Sequence, residues 1–187
     1  MIRENYPIVP RVELIEAASD QEPVIANLLE LYIHDFSEFL DLDIDAKGRF
    51  GYPDLPIYWS GSRRHPFLIR ADGKLAGLAL VKKSSELCDS EAAWDMAEFF
   101  ILLGFRRRGI GTLAAHQVWR RFPGPWEVRV MQRNALAQQF WAEAISTFAA
   151  EVSHPRCIEK DGEAWDLFSF HSRPSMAAHN DKKDDPQ

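Results

Sequence analysis

Apolar residues recur along this chain in two alternating periods, two for strands and about 3.6 for helices. The changes of period divide it into elements. Near the start, Val12, Leu14 and then Glu16 alternate against Arg11, Glu13 and Ile15, an imperfect period of two that predicts a first strand over Arg11 to Ala17. From Glu22 to Leu40 the positions Val24, Ile25, Leu28, Leu29, Tyr32, Phe36, Phe39 and Leu40 fall at helical spacing behind Pro23, which suits a first turn. One long helix, or two in succession, is expected there. Asp41 to Arg64 reads as a loop, carrying Gly48, Gly51, Pro53, Pro56 and Gly61 among the aromatics Phe50, Tyr52, Tyr58 and Trp59. A long aromatic loop often covers a site. Pro66 to Arg70 and Leu75 to Lys82 then predict two antiparallel strands, joined at Ala71-Asp72-Gly73-Lys74 by an Asp-Gly hairpin signal.

Beyond a polar break at Ser84-Ser85, Trp94 to Leu103 predicts a strand and Leu113, Ala114, Val118 and Phe122 a helix that ends near Pro123-Gly124-Pro125. Trp126 to Met131 alternates again, so this unit is strand, helix, strand. Asn134 opens a second helix with Leu136, Ala137, Phe140, Trp141, Ala144 and Ile145 on its apolar face, and strands are expected near Ala150 to Cys157 and Ala164 to Phe170. No repeat interrupts the pattern. It describes one domain over residues 1–171, followed by a polar tail over 172–187 that reads as disordered.

Composition narrows the function. The chain has 187 residues, 46% of them hydrophobic, and a net charge of -6, which argues against a general binder of nucleic acid. Cys88 and Cys157 are far apart and not at metal-ligand spacing, no two histidines stand at such spacing, and no metal site is expected. The N-terminus lacks a signal-peptide apolar core and no apolar run approaches the roughly 20 residues of a membrane span, so a cytoplasmic protein without membrane contact is expected.

Two features carry chemistry. The run Arg106-Arg107-Arg108-Gly109-Ile110-Gly111-Thr112 lies where the strand turns into the helix. Its glycines allow close backbone approach, and the first helical amides have no carbonyl behind them, so the turn can cradle a phosphate or pyrophosphate. The arginines favour an anionic guest. The second feature is Glu98, a lone carboxylate in an apolar strand, placed by alternation on one face with Met96, Phe100 and Leu102. Desolvation would raise its pKa and suit it to accept a proton from an ammonium, with Asp95 the lesser candidate.

Hairpin, strand with a carboxylate, Arg-x-x-Gly-x-Gly turn, helix, strand, then Asn134-x-x-Ala137-x-x-Phe140-Trp141: this order resembles the GNAT superfamily of acyl-CoA-dependent N-acyltransferases. The resemblance covers roughly Pro66 to Phe170. It implies an α/β fold, a mixed and mostly antiparallel central sheet flanked by helices and splayed between its two central strands. It implies acetyl-CoA as cosubstrate, its pyrophosphate on the backbone of Arg106, Arg107, Arg108, Gly109, Ile110, Gly111 and Thr112. Ile101, Leu102 and Leu103 would lie beside the pantetheine arm, with Asn134 and Trp141 in contact with the cofactor. A strand amide would stabilise the oxyanion, an effect often worth ~3 kcal/mol. Where the family commonly has a tyrosine to protonate the departing thiolate, this chain has Trp141, whose indole cannot do so usefully.

The acidic and aromatic segment with Tyr32, Asp35 and Glu38 falls where the resemblance puts the acceptor wall, which suits a small-molecule or peptide amine. The expected activity is N-acetyl transfer to an amine by direct attack in a ternary complex, with Glu98 as base and no covalent intermediate. A homodimer fits the family's habit of pairing late strands. Two other readings stand beside this one. Gly109-Ile110-Gly111-Thr112-Leu113-Ala114 also satisfies a dinucleotide-binding pattern, with Glu127 as ribose acid, as in a Rossmann-like oxidoreductase. The absent tyrosine allows a CoA-binding sensor without catalysis.

Overall fold

The computed structural model describes residues 9–83, 93–151, 154–160 and 162–173. The Ser84-Ser85 break, Cys88 and nearly all of the polar tail lie outside them. Seven strands form one sheet in the order β1-β2-β3-β4-β5-β7-β6. They are β1 (Val12–Glu16), β2 (Arg64–Ala71), β3 (Lys74–Lys83), β4 (Trp94–Ile101), β5 (Gly124–Met131), β6 (Arg156–Lys160) and β7 (Glu163–Ser172), with helices α1 (Glu22–Phe36), α2 (Ile110–Arg121) and α3 (Ala135–Ser146). Every pairing is antiparallel except β4 with β5. A doubly wound parallel sheet is thereby excluded, and Glu127 lies buried where β4 and β5 pair, away from the carboxyl end of its strand.

Hairpin and helix chemistry explain most boundaries. Asp72 and Gly73 both take positive φ, 50° and 77°, as the tight turn from β2 to β3 requires. Helix α1 stops at Phe36, short of the expected Leu40, because the Ser37 hydroxyl bonds back to His34 O at 2.6 Å and the chain continues as turns. Strand β6 begins at Arg156, later than its expected position near Ala150, because its register is set by pairing with β7, from Arg156 opposite Leu167 to Lys160 opposite Glu163. As an edge strand with no fully buried residue, it shows little periodicity to read.

The sheet separates two apolar layers. On one face α2 and α3 bury Val118, Trp119, Trp141 and Ile145 against Phe67, Met96, Trp126 and Phe170. On the other, α1 and the short helix Leu55–Trp59 bury Ile25, Leu29, Leu55 and Tyr58 against Leu68, Leu78, Leu80, Ala97 and Phe100. Met96 and Ala97 therefore face opposite ways, yet Ala97 and Phe100 share a layer. A bulge between Leu80 and Val81 in the β3 to β4 register, opposite Glu98 and Met96, supplies the extra residue. The expected common face of Met96 and Glu98 is corrected by this bulge: Met96 packs toward α2, whereas Glu98 is turned toward α1 with Phe100 and Leu102. Among the described residues no helix is long and apolar enough to cross a membrane.

Candidate active site

The central strands part soon after they meet. β4 and β5 pair only at Trp94 with Trp126 and Asp95 with Glu127, after which each runs on without the other. A parted pair leaves strand N–H and C=O groups facing a gap, where an extended ligand can bond to them. Two side chains reach into the far end of this backbone: Arg106 Nε donates to Ile101 O at 2.7 Å, and Gln138 Nε2 donates to Val130 O at 3.2 Å. Gln138 is a participant that its sequence position, on a helix of mixed residues, did not mark out.

At the end of β4 the chain makes a short helical turn, Leu103–Phe105, and enters α2 through Arg107 at φ 57° and Gly109 at φ 75°. Left-handed residues of this kind turn successive N–H groups into a concave row suited to an anion. Leu113 N bonds back to Gly109 O at 3.0 Å, so the amides just ahead of it lack a helical acceptor. Gly111 brings the turn close to α3: a Cβ there would stand 3.1 Å from the Phe140 ring, which packs over the first turn of α2.

Arg106 is tied into the turn by its own contacts. Its amide already bonds Leu103 O at 3.2 Å, and its guanidinium bonds Ile101 O and the Asp35 carboxylate while lying over the Phe100 ring. The Arg106 amide and guanidinium are thus engaged within the protein, ahead of the left-handed Arg107 and Gly109. Paired to Arg106, Asp35 links α1 to the turn. Glu38 is exposed in the turns after α1 and is not brought to Glu98. Arg108 lies 3.9 Å from Asp72 and remains half exposed.

Ile101 and Leu102 point to opposite layers at the end of β4, while Leu103 is 72% exposed beside the opening. Asn134 caps α3, its Oδ1 accepting from Ala137 N at 3.0 Å. Trp141 is 7% exposed and packs edge-on to Phe99 and Phe140 and tilted to Trp119, so the structure places it in the core beneath the opening.

Glu98 lies on the α1 side, ringed by groups from five elements. Tyr52, from the long aromatic loop, donates its hydroxyl to Glu98 Oε1 at 2.9 Å, and Tyr32 of α1 hydrogen-bonds the same carboxylate. Burial raises the Glu98 pKa above the usual carboxylate range, opposed by the two tyrosine hydroxyls and by the charges of Arg129 and Lys82. Desolvation, then the Glu98 charge, raises both Tyr32 and Tyr52, so these phenols stay protonated as donors. Tyr58 is raised by the same two causes in the same order. Asp95 is buried at 2% exposure between Lys82 Nζ at 3.8 Å and Arg129 Nη1 at 3.7 Å, a charge cluster in the sheet. Of the expected acceptor residues, Tyr32 alone meets Glu98. Tyr52, Tyr58, Lys82 and Arg129 join it, and only the aromatic density of the loop hinted at any of them. Among the described residues no cluster could hold a metal.

No family model matches the sequence, and no curated protein matches it. Solved structures do. An acetyltransferase from Thermus thermophilus superposes with TM-score 0.61 at 15% identity, covering 87% of this chain and 98% of that one. A GNAT-family acetyltransferase from Bacillus cereus gives TM-score 0.58 at 10% identity over 87% and 99% of the two chains. The protein yncA from Salmonella typhimurium, solved with its cofactor acetyl-CoA, gives 0.60 at 12% identity over 89% and 96%. With a mixed seven-stranded sheet, its one parallel pair parted above a glycine turn, this chain has the fold of the GNAT acetyltransferases.

Proposed function

We infer that this chain transfers an acetyl group from acetyl-CoA to a primary amine by direct attack in a ternary complex. The observation that carries the reading is the parted β4 and β5 pair, with a glycine turn at one end of the opening and a half-buried carboxylate beside it. When bound, acetyl-CoA supplies the thioester carbonyl that the amine attacks. The backbone of Arg107 to Thr112 would hold its pyrophosphate, aided by the Arg107 and Arg108 side chains. Ile101, Leu102, Leu103 and Asn134 would flank the pantetheine arm. A β4 amide facing the opening would stabilise the oxyanion.

Glu98 would take the proton of the incoming ammonium. Its raised pKa fits that role, because a base poised nearer neutrality both binds and releases a proton in the working range. Tyr32 and Tyr52, only partly buried, would give the acceptor side an aromatic lining, to which an ammonium is attracted through the ring faces. Trp141 offers no useful proton, so the departing thiolate takes its proton from solvent or another group. No residue in the site has the surroundings of an activated nucleophile, consistent with a single direct transfer.

Thiol release from acetyl-CoA over a panel of small amines and peptides tests the activity. At least one amine is expected to drive turnover, and acetyl-CoA is expected to raise the melting temperature. Stabilisation by NADH and none by acetyl-CoA would sink the reading.

A further inference from the structure

Tyr52 reaches Glu98 from a loop far away in sequence, and something must hold that loop in place. Glu30, on α1, does so with both carboxylate oxygens: Oε2 accepts from Phe50 N at 2.8 Å and Oε1 from Gly51 N at 2.9 Å. The two amides immediately precede Tyr52. Upstream, Asp45 folds its own turn by accepting from Lys47 N and Arg49 N, and downstream Leu55 N bonds Tyr52 O at 3.0 Å. Gly51 sits at φ 75°, a conformation that a side chain would oppose. The segment thus passes over Glu98 in one defined shape, fixed at its centre by a single side chain.

We propose that Glu30 is a positioning residue for the general base: by gripping the amides of Phe50 and Gly51 it sets the Tyr52 hydroxyl on Glu98. The proposal rests on the base role assigned to Glu98 above. Helix α1 then controls that carboxylate twice, through Tyr32 directly and through Glu30 and the loop. Charged and polar groups also act on Glu98 from Tyr58 of the short helix, Lys82 of β3 and Arg129 of β5; Lys82 and Arg129, with Asp95 of β4 between them, stand on strands of the sheet, apart from the loop that Glu30 holds. A hydroxyl donor favours the ionised carboxylate, so removing Tyr52 from Glu98 raises its pKa.

Carbon-13 titration of glutamate-labelled protein tests this, with the Glu98 carboxyl signal identified by its loss in Glu98→Gln. Tyr52→Phe and Glu30→Gln are each expected to raise the Glu98 midpoint by about half to one pH unit, and the double variant by no more than Tyr52→Phe alone. Glu30→Asp, one methylene too short for both amides, keeps the charge and is expected to move the midpoint the same way. An unmoved midpoint in the Glu30 variants, or additive shifts in the double variant, overturns the proposal. The titration needs no acetyl-CoA, so failure of every amine to drive turnover rejects the transferase reading and leaves this result standing. Where turnover is found, the acid limb of kcat/KM is expected to move upward with the midpoint while KM for acetyl-CoA stays within twofold.

Discussion

Gly77 is the position where a single methyl group is expected to do most damage. It lies on β3 opposite Ile101, and a Cβ built there would stand 2.0 Å from the backbone oxygen of Phe100, against 3.4 Å for ordinary contact. The obstacle is backbone in the strand that carries Glu98, and β3 is held on its other side by β2. The carbonyl would have to retreat by about 1.4 Å in a close-packed interior, where overpacking by flexible groups already costs about 1–3 kcal/mol. Gly77→Ala is therefore expected to cost about 3 kcal/mol or more. For a chain of this length that is a fall in melting temperature of roughly 6–12 °C. Thermal and urea unfolding followed by circular dichroism measure it, with Gly104→Ala as the comparison, since a Cβ there meets nothing within 4 Å. Because Phe100 and Ile101 lead into the turn, acetyl-CoA affinity is expected to fall at least several-fold as well. A Gly77→Ala protein melting within about 2 °C of the parent would refute the reasoning.

Four further outcomes follow from the site. Glu98→Gln is expected to lower turnover by about 10²–10⁴-fold while acetyl-CoA binding holds, as isothermal titration would show. The same substitution should stabilise the fold at neutral pH: a carboxyl whose folded pKa is raised contributes its stability below the unfolded value and loses it as pH rises through the folded one. The difference in melting temperature should therefore shrink below about pH 4, and a gain that persists there would contradict it. Asn134→Ala removes the bond from Ala137 N and is expected to cost about 1 kcal/mol in urea unfolding. Arg107→Gln is expected to weaken acetyl-CoA binding and reduce its salt dependence, whereas Asp35→Asn, on the far side of the Arg106 brace, should leave that salt dependence unchanged.

Local signals were strong wherever one element supplied both the pattern and its reason. The Asp72-Gly73 turn, the glycine entry to α2 and the Asn134 cap each depend on backbone conformation within a few residues, and each stands where the sequence put it. The mixed sheet and its splay were implied by the family resemblance that the order of motifs carries. Glu98 announced itself because an isolated carboxylate in an apolar strand is costly unless it is used or paired.

Other assignments required the assembled sheet. One bulge in β4 reversed the face of Met96 relative to Glu98, and alternation alone carries no mark of an inserted residue. Arg106 looked like its two basic neighbours until α1 brought Asp35 beside it. The partners of Glu98 come from positions 32, 52, 58, 82 and 129, and Glu30 acts through a loop about twenty residues away. The sequence by itself determined the elements, their order and the chemistry each could offer, because those depend on neighbours along the chain. Which charges meet, and which hydroxyls turn toward the base, was decided by the tertiary structure, because electrostatic and hydrogen-bond energies depend on distance in space.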